Sequence, residues 1–435
     1  MRWLLLIFLN SAFLSFGQIP NKFGWTEAGA NQQFFDSLEF HVDFDAFKKE
    51  HPQIEDNSEL IGVIEEVNPK GVIIDFRSSE YFFEKSIKLD SKVILRGDSI
   101  VMPRFVFRLN KINHLILVQG RRTKDEIEVL GDFTERELVS SKDPDLKEDE
   151  GYWLYYSQDD QTYMTSDWAN RKSGQIIYSI FSNEILSHQD EIRLNYNRKA
   201  NPTLCRLEMT TKVGIENISI INETPAEGPH ERFSNIAFIY ANNCWVKNVE
   251  SQMCNYAHIQ IDFSAHCSVT DFEANDAFSH GGGGVGYGVV FQNAASSNLL
   301  NYSSFNHLRH SILFQIGANG NVVSRNTSTN PYWTGNLHRK KRAGDIVFHG
   351  NYPYCNLVIK NKCKTIVFDR SHGYNGPANE ISKNECSGYG IIMSKKSSYG
   401  GQSFFYNKIL KGKFKIYASN SNWGNTVKGK EVKKL

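Results

Sequence analysis

NLVIKNKCKTIVFDRSHGYNGPA (residues 356–378) runs directly into NEISKNECSGYGIIMSKKSSYGG (residues 379–401), and the two stretches align over 23 residues. Each opens on Asn, places a second Asn five residues on, and then supplies a second apolar strand, TIVFD or GIIMS. Working outward, the strands NIAFI, HIQID, GVVFQ, SILFQ and DIVFH precede them. The first Asn belongs to a column of Cys244, Cys267, Asn298, Asn321, Asn356, Asn379, Gln402 and Asn425, with spacings of 23, 31, 23, 35, 23, 23 and 23. The two departures read as insertions. A unit this short holds too little apolar surface to fold alone, so successive units must stack and bury a continuous core. β-Propeller blades need about 40 residues or more, which excludes that fold. The expectation is an all-β right-handed parallel β-helix, its hand taken from the general preference of parallel crossovers. Phe238, Ile261, Phe291, Phe314, Phe348, Phe368 and Met393 would stack inside it.

The upstream sequence divides around this body. Apolar runs Trp3–Leu9 and Ala12–Phe16, with small residues before Gln18, read as a signal peptide over 1–17 and a secreted or periplasmic chain with no membrane span after cleavage. Residues 18–70 read as an N-terminal cap, 71–139 as the first rungs, 140–200 as an inserted loop or small β subdomain, 201–430 as the main rungs, and 431–435 as a tail. The formal net charge of +1 gives no field that would recruit nucleic acid. Seven Cys without a CxxC pair are neither a disulfide framework nor a zinc site; Cys244 and Cys267, in adjacent rungs, are expected as buried thiols.

Residues 71–97, GVIIDFRSSEYFFEKSIKLDSKVILRG, resemble the opening rung of the pectate-lyase-like β-helix superfamily at Phe76, Tyr81, Ile87, Leu89, Val93, Leu95 and Gly97. Arg77 and Ser78 stand where that pattern has Pro and Gly. The resemblance implies polysaccharide-active relatives and a polysaccharide partner.

The two insertions point to the site. NDAFSHGGGGVGYG (275–288) and NPYWTGNLHRKKR (330–342) fall in the same turn of the rung and bracket NHLRH (306–310). Insertions in a repeat protein map to one face, often the binding face. Beside that turn, the residue after each inward aromatic forms an outward column of Ile239, Asp262, Gln292, Gln315, His349, Asp369 and Ser394. Four residues earlier, His258, Ser311, Asp345 and Thr365 are expected on the same outward face. Candidate catalytic groups are therefore His280, Arg309, His310, His349, Asp262, Asp345 and Tyr287. Candidate substrate-binding groups are Gln292, Gln315, His307, Tyr332, Trp333, Arg342 and Asp369. Tyr287, Tyr332 and Trp333 are the expected sugar-stacking rings.

This inventory suits cleavage of an anionic polysaccharide. β-Elimination needs a cation against a uronate carboxylate and a base for the neighbouring proton, which Arg, Gln, His and Tyr can supply. Hydrolysis needs two carboxylates roughly 5–9.5 Å apart. Asp262 and Asp369, four rungs apart at roughly 19 Å, are not that pair. Asp276 with Asp262 or Glu273, and Asp345 with Asp369, remain alternatives. So does a non-catalytic glycan-binding solenoid; an epimerase ranks lower. No cofactor or metal is expected: calcium is common in such folds, but no compact acidic cluster marks a site.

Overall fold

The computed structural model describes residues 22–31, 38, 40–128, 139–140, 149–157, 174–182, 185–188, 190–194, 202–226, 231–281, 284–332, 344–394, 397–398, 401–417 and 420–433. These form a right-handed parallel β-helix with an antiparallel sheet inserted into it. One face of the helix carries the site. It stacks Ile116–Gln119, Ile236–Ile239, Ala257–Asp262, Tyr287–Gln292, His310–Phe314, Ile346–Gly350, and the later parts of Lys362–His372 and Glu385–Met393, each pair parallel.

The register matches the aromatic column read from the sequence: Phe291 pairs with Phe314, Phe314 with Phe348, and Phe348 with Phe368. Their rings stack at 5.2, 4.8 and 4.2 Å between centroids, fully buried in the main core. Strand alternation puts every second residue inside, and a constant period puts like on like.

Two Asn ladders hold the turns between faces. In the first, Asn298, Asn321, Asn356 and Asn379 each donate Nδ2–H to the side-chain oxygen one rung on, ending at Gln402. In the second, Asn326, Asn361, Asn384 and Asn407 do the same, ending at Asn425. Asn425 therefore leaves the column in which the spacing placed it. The Gln402 N–H donates instead to Asn420, 18 residues on, because the last turn is shortened.

At the N-terminal end, helices Phe44–Glu50 and Asn57–Val67 pack Phe44, Leu60, Ile61 and Ile64 into the same core. Asp43 and Asp56 accept from the backbone N–H three residues on, capping the two helices. Phe76, Tyr81, Ile87, Leu89, Val93 and Leu95 are all buried there.

The inserted sheet is wider than residues 140–200. Its six strands run from Arg121–Glu128 to Pro202–Glu208 in chain order, so the first rungs stop at Gln119 and the main rungs resume at Gly214. Across the break, Ile116–Gln119 pairs directly with Ile236–Ile239. All seven Cys are free and buried. Among the described residues no helix is long and apolar enough to cross a membrane. Residues 1–17, where the signal peptide is expected, lie outside them.

Candidate functional site

The strands of this face are entered after residues 276, 307 and 330, each following a strand that pairs with its neighbour rung to rung. Tyr256, Ala257 and Tyr287 cover the aliphatic row Val290, Leu313, Val347 and Val367. Tyr287 stacks on His310 at 5.3 Å and 15°, and the Arg309 guanidinium carbon stands 6.0 Å from the Tyr287 ring.

Beside these rings runs the polar row expected from the sequence. Gln260 and Gln292 both donate to Asp262 Oδ2, at 3.1 and 3.2 Å. Gln315 Nε2 and the Tyr256 hydroxyl donate to Gln292 Oε1, at 2.7 and 2.8 Å. Asp262, Gln292 and Gln315 are buried, so this half of the row is knitted together rather than solvated. The row opens at His349 and Asp369, whose side chains are 15 % and 14 % exposed. His349 Nδ1 donates to Asp369 Oδ2 at 2.6 Å, and Nε2 is the ring nitrogen turned away from that bond.

The protonation states follow from this packing. Burial, with Arg309 and His349 adding to it, pushes the His310 pKa down to about 3. His310 is thus a neutral imidazole whose Nδ1–H donates to the Gly344 carbonyl at 2.8 Å, leaving Nε2 unprotonated. Its ring lies 6.3 Å from that of His349. Burial would raise the Asp369 pKa, but the adjacent His349 and the Ser371 N–H hold it below the usual carboxylate value. Burial raises the Tyr287 hydroxyl.

Arg309 is 7 % exposed, and its Nε and Nη1 bond no protein group. A buried guanidinium with idle donors is costly unless something anionic meets it. It stands beside Tyr287, one residue before His310, at the edge of the face where His349 and Asp369 open outward.

Other candidates fall elsewhere. Asp345 is wholly buried, and its Oδ2 accepts from the Lys364 and Thr365 N–H groups. His258 bonds Ser251 Oγ at 2.8 Å and Ser311 bonds Ser328 Oγ at 2.7 Å; Ser251, Ala274, Phe305 and Ser328 share one register column, two of them in the apolar core. The strand-start column of His258, Ser311, Asp345 and Thr365 therefore turns into the corner, not outward. Alternation fails where the chain bends into the strand, and Asp345 cannot pair with Asp369. Tyr287, 3 % exposed and stacked on His310, offers no free face to a sugar.

His280, His307 and Tyr332 form a second cluster around Asp276. His280 Nε2 lies 3.3 Å from Asp276 Oδ1, and His307 Nδ1 lies 3.0 Å from Asp276 Oδ2. Tyr332 packs on the His280 ring at 4.3 Å. Trp333 and Arg342 lie outside the described residues. The sequence reading missed Tyr256, Gln260 and the central place of Asp276; Tyr256 reaches Gln292 across 36 residues, which only the rung register reveals.

No family model matches the sequence, and no curated protein matches it. Among solved structures, the chain is similar to the Gp54 tailspike of Acinetobacter baumannii bacteriophage AP22 in complex with A. baumannii capsular saccharide, at 13% identity and TM-score 0.57. It covers 89% of this chain and 61% of that one. A second similar structure is the tailspike protein gp49 from Pseudomonas phage LKA1, at 12% identity and TM-score 0.57, covering 79% of this chain and 56% of that one. The chain thus spans about three fifths of these tailspikes, and what it shares with them is the fold.

Proposed function

We propose that the protein is a carbohydrate-active β-helix that binds an anionic extracellular polysaccharide across this face and cleaves it by β-elimination. The observation that carries the reading is Arg309, a buried cation with idle donors, set beside an Asp369–His349 dyad through Tyr287 and His310. Arg309 would take the carboxylate of a uronate unit, stabilising the charge that develops as the adjacent C–H bond breaks. His349 Nε2 would accept that proton, with Asp369 fixing its tautomer and stabilising the imidazolium. The C–H electron pair forms the C4–C5 double bond and the glycosidic C4–O bond breaks. The departing oxygen takes a proton from solvent. Hydrolysis is less well supported: Asp345 is turned inward, and Asp262 and Asp369 are separated by four rungs. The tailspike complexed with a capsular saccharide supports a glycan ligand for such a scaffold.

The test is incubation of the purified protein with a panel of uronate-containing and sulfated polysaccharides, reading unsaturated product by ultraviolet absorbance and product mass. Unsaturated oligosaccharides from wild type and none from His349→Ala support elimination. Saturated products indicate hydrolysis. Binding without any cleavage across the panel indicates a glycan-binding solenoid and overturns the enzymatic reading.

A further inference from the structure

We propose that Asp276, His280 and His307 form a binding site for one divalent transition-metal ion of the zinc class. The three residues each offer a ligand atom, and these atoms all lie within 4.8 Å of one another. The two Asp–His separations, 3.3 and 3.0 Å, match the spacing of neighbouring donors around an ion bonded at about 2.0–2.2 Å. Two imidazoles and one carboxylate favour a borderline transition metal over calcium or magnesium, which take oxygen ligands.

The fold explains how the donors meet. Asp276 and His307 follow strand residues Asn275 and Asn306, which pair in register, and both adopt left-handed backbone, with φ of 60° and 55°. They therefore stand one above the other on adjacent rungs. His280 comes from the first insertion and folds back over them, with Tyr332 laid against its ring. The His280 side chain is 10 % exposed, whereas Asp276 and His307 are 44 % and 40 % exposed. One side of the cluster is packed and the other is open for the ion and a water ligand.

Without an ion, His280 Nε2 donates to the His307 carbonyl at 2.7 Å. To ligate the ion, His280 carries its proton on Nδ1 and His307 on Nε2, so that the nitrogens nearest Asp276 present their lone pairs. The site also has a place in the architecture. Gly286, with φ +74°, has no room for a Cβ: one would lie 2.7 Å from the Ser279 carbonyl, and it would touch His280 Cα and Arg309 Cβ. An ion at these donors would pin the insertion against the turn that carries Arg309. The proposal does not depend on the reaction proposed above.

The test uses full-length protein treated with chelator and then titrated with Zn²⁺ alone by calorimetry, with Co²⁺ absorbance as a second readout. Wild type is expected to take up one equivalent, and Co²⁺ to show visible bands of nitrogen and oxygen ligation. His280→Ala and His307→Ala should each weaken uptake at least about 100-fold, Asp276→Asn at least about 10-fold, while His41→Ala, on a distant Asp–His pair, leaves it unchanged. Asp276→Asn keeps the side-chain shape, so it decides the matter should the alanine variants fail to fold. Absence of stoichiometric uptake by wild type, or uptake equal in all variants, overturns the proposal.

Discussion

Arg309 is 7 % exposed, with Nε and Nη1 bonded to no protein group. Lys at this position retains the charge but loses the planar fork that binds a carboxylate through two parallel bonds. Arg309→Lys is therefore expected to weaken binding of an anionic oligosaccharide clearly, and Arg309→Ala by about 2–5 kcal/mol, measured by calorimetry with a non-cleaved oligosaccharide. Equal affinity in all three proteins would remove Arg309 from the site. A different residue sets a pH response. Burial pushes the His114 pKa down to about 4 from its usual 6.5, and Nδ1 accepts the Ser234 N–H, which suits the neutral ring. The unfolded chain binds this proton more readily than the folded one. The stabilising contribution is thus complete above about pH 6.5 and is lost as pH falls toward 4, at most about 3 kcal/mol in all. Between pH 7 and 5, urea unfolding of His114→Gln should lose about 2 kcal/mol less stability than wild type; identical pH slopes would contradict this.

The strands and turns owe their order to the two ladders. Asn361 accepts from both the N–H and the Nδ2–H of Asn326 and donates to Asn384 and the Val323 carbonyl, fully inside the turn. Asn361→Ala leaves two buried donors of Asn326 unmet, at a cost of about 3 kcal/mol. Because rungs contact only their neighbours, hydrogen exchange should accelerate around 326 and 384 and stay unchanged near residue 94. The Phe column and the turn that carries both insertions follow from a period of 23 and strict alternation. Asp345 was misread because alternation breaks at the corner where its strand begins. The edges of the insertion were misread because Arg121–Glu128 and Pro202–Glu208 are short strands too, and only their antiparallel partners distinguish them from rungs. The Asp276–His307 contact joins residues 31 apart through rung stacking, which spacing within one rung does not express.

Across the whole molecule, the inserted sheet packs Leu154, Ile176, Cys205 and Leu207 against Phe263, Ala265 and Ala294 of the solenoid, and buried polar contacts add to that seam. Arg193, 3 % exposed, donates to the Phe23 carbonyl, Asn319 Oδ1 and Ser297 Oγ, joining the N-terminal segment, the insertion and two rungs. Gly320 gives it room, since a Cβ there would lie 2.2 Å from the guanidinium carbon. Arg193→Ala is expected to cost about 3–5 kcal/mol, because it orphans several buried acceptors at once. Limited proteolysis should then cut within 121–208 while the rungs stay resistant, whereas an unchanged digestion pattern would show that other contacts hold the sheet. The proposed cleavage of an anionic glycan at the face carrying Arg309, His310, His349 and Asp369 is tested most directly by the initial rate of unsaturated-product formation on the best polysaccharide of the panel, for wild type, His349→Ala and Asp369→Asn. Activity is expected in wild type, with losses of about 10²–10⁴-fold in both variants and folding preserved by circular dichroism. Cleavage at the wild-type rate in His349→Ala would rule out His349 as the base.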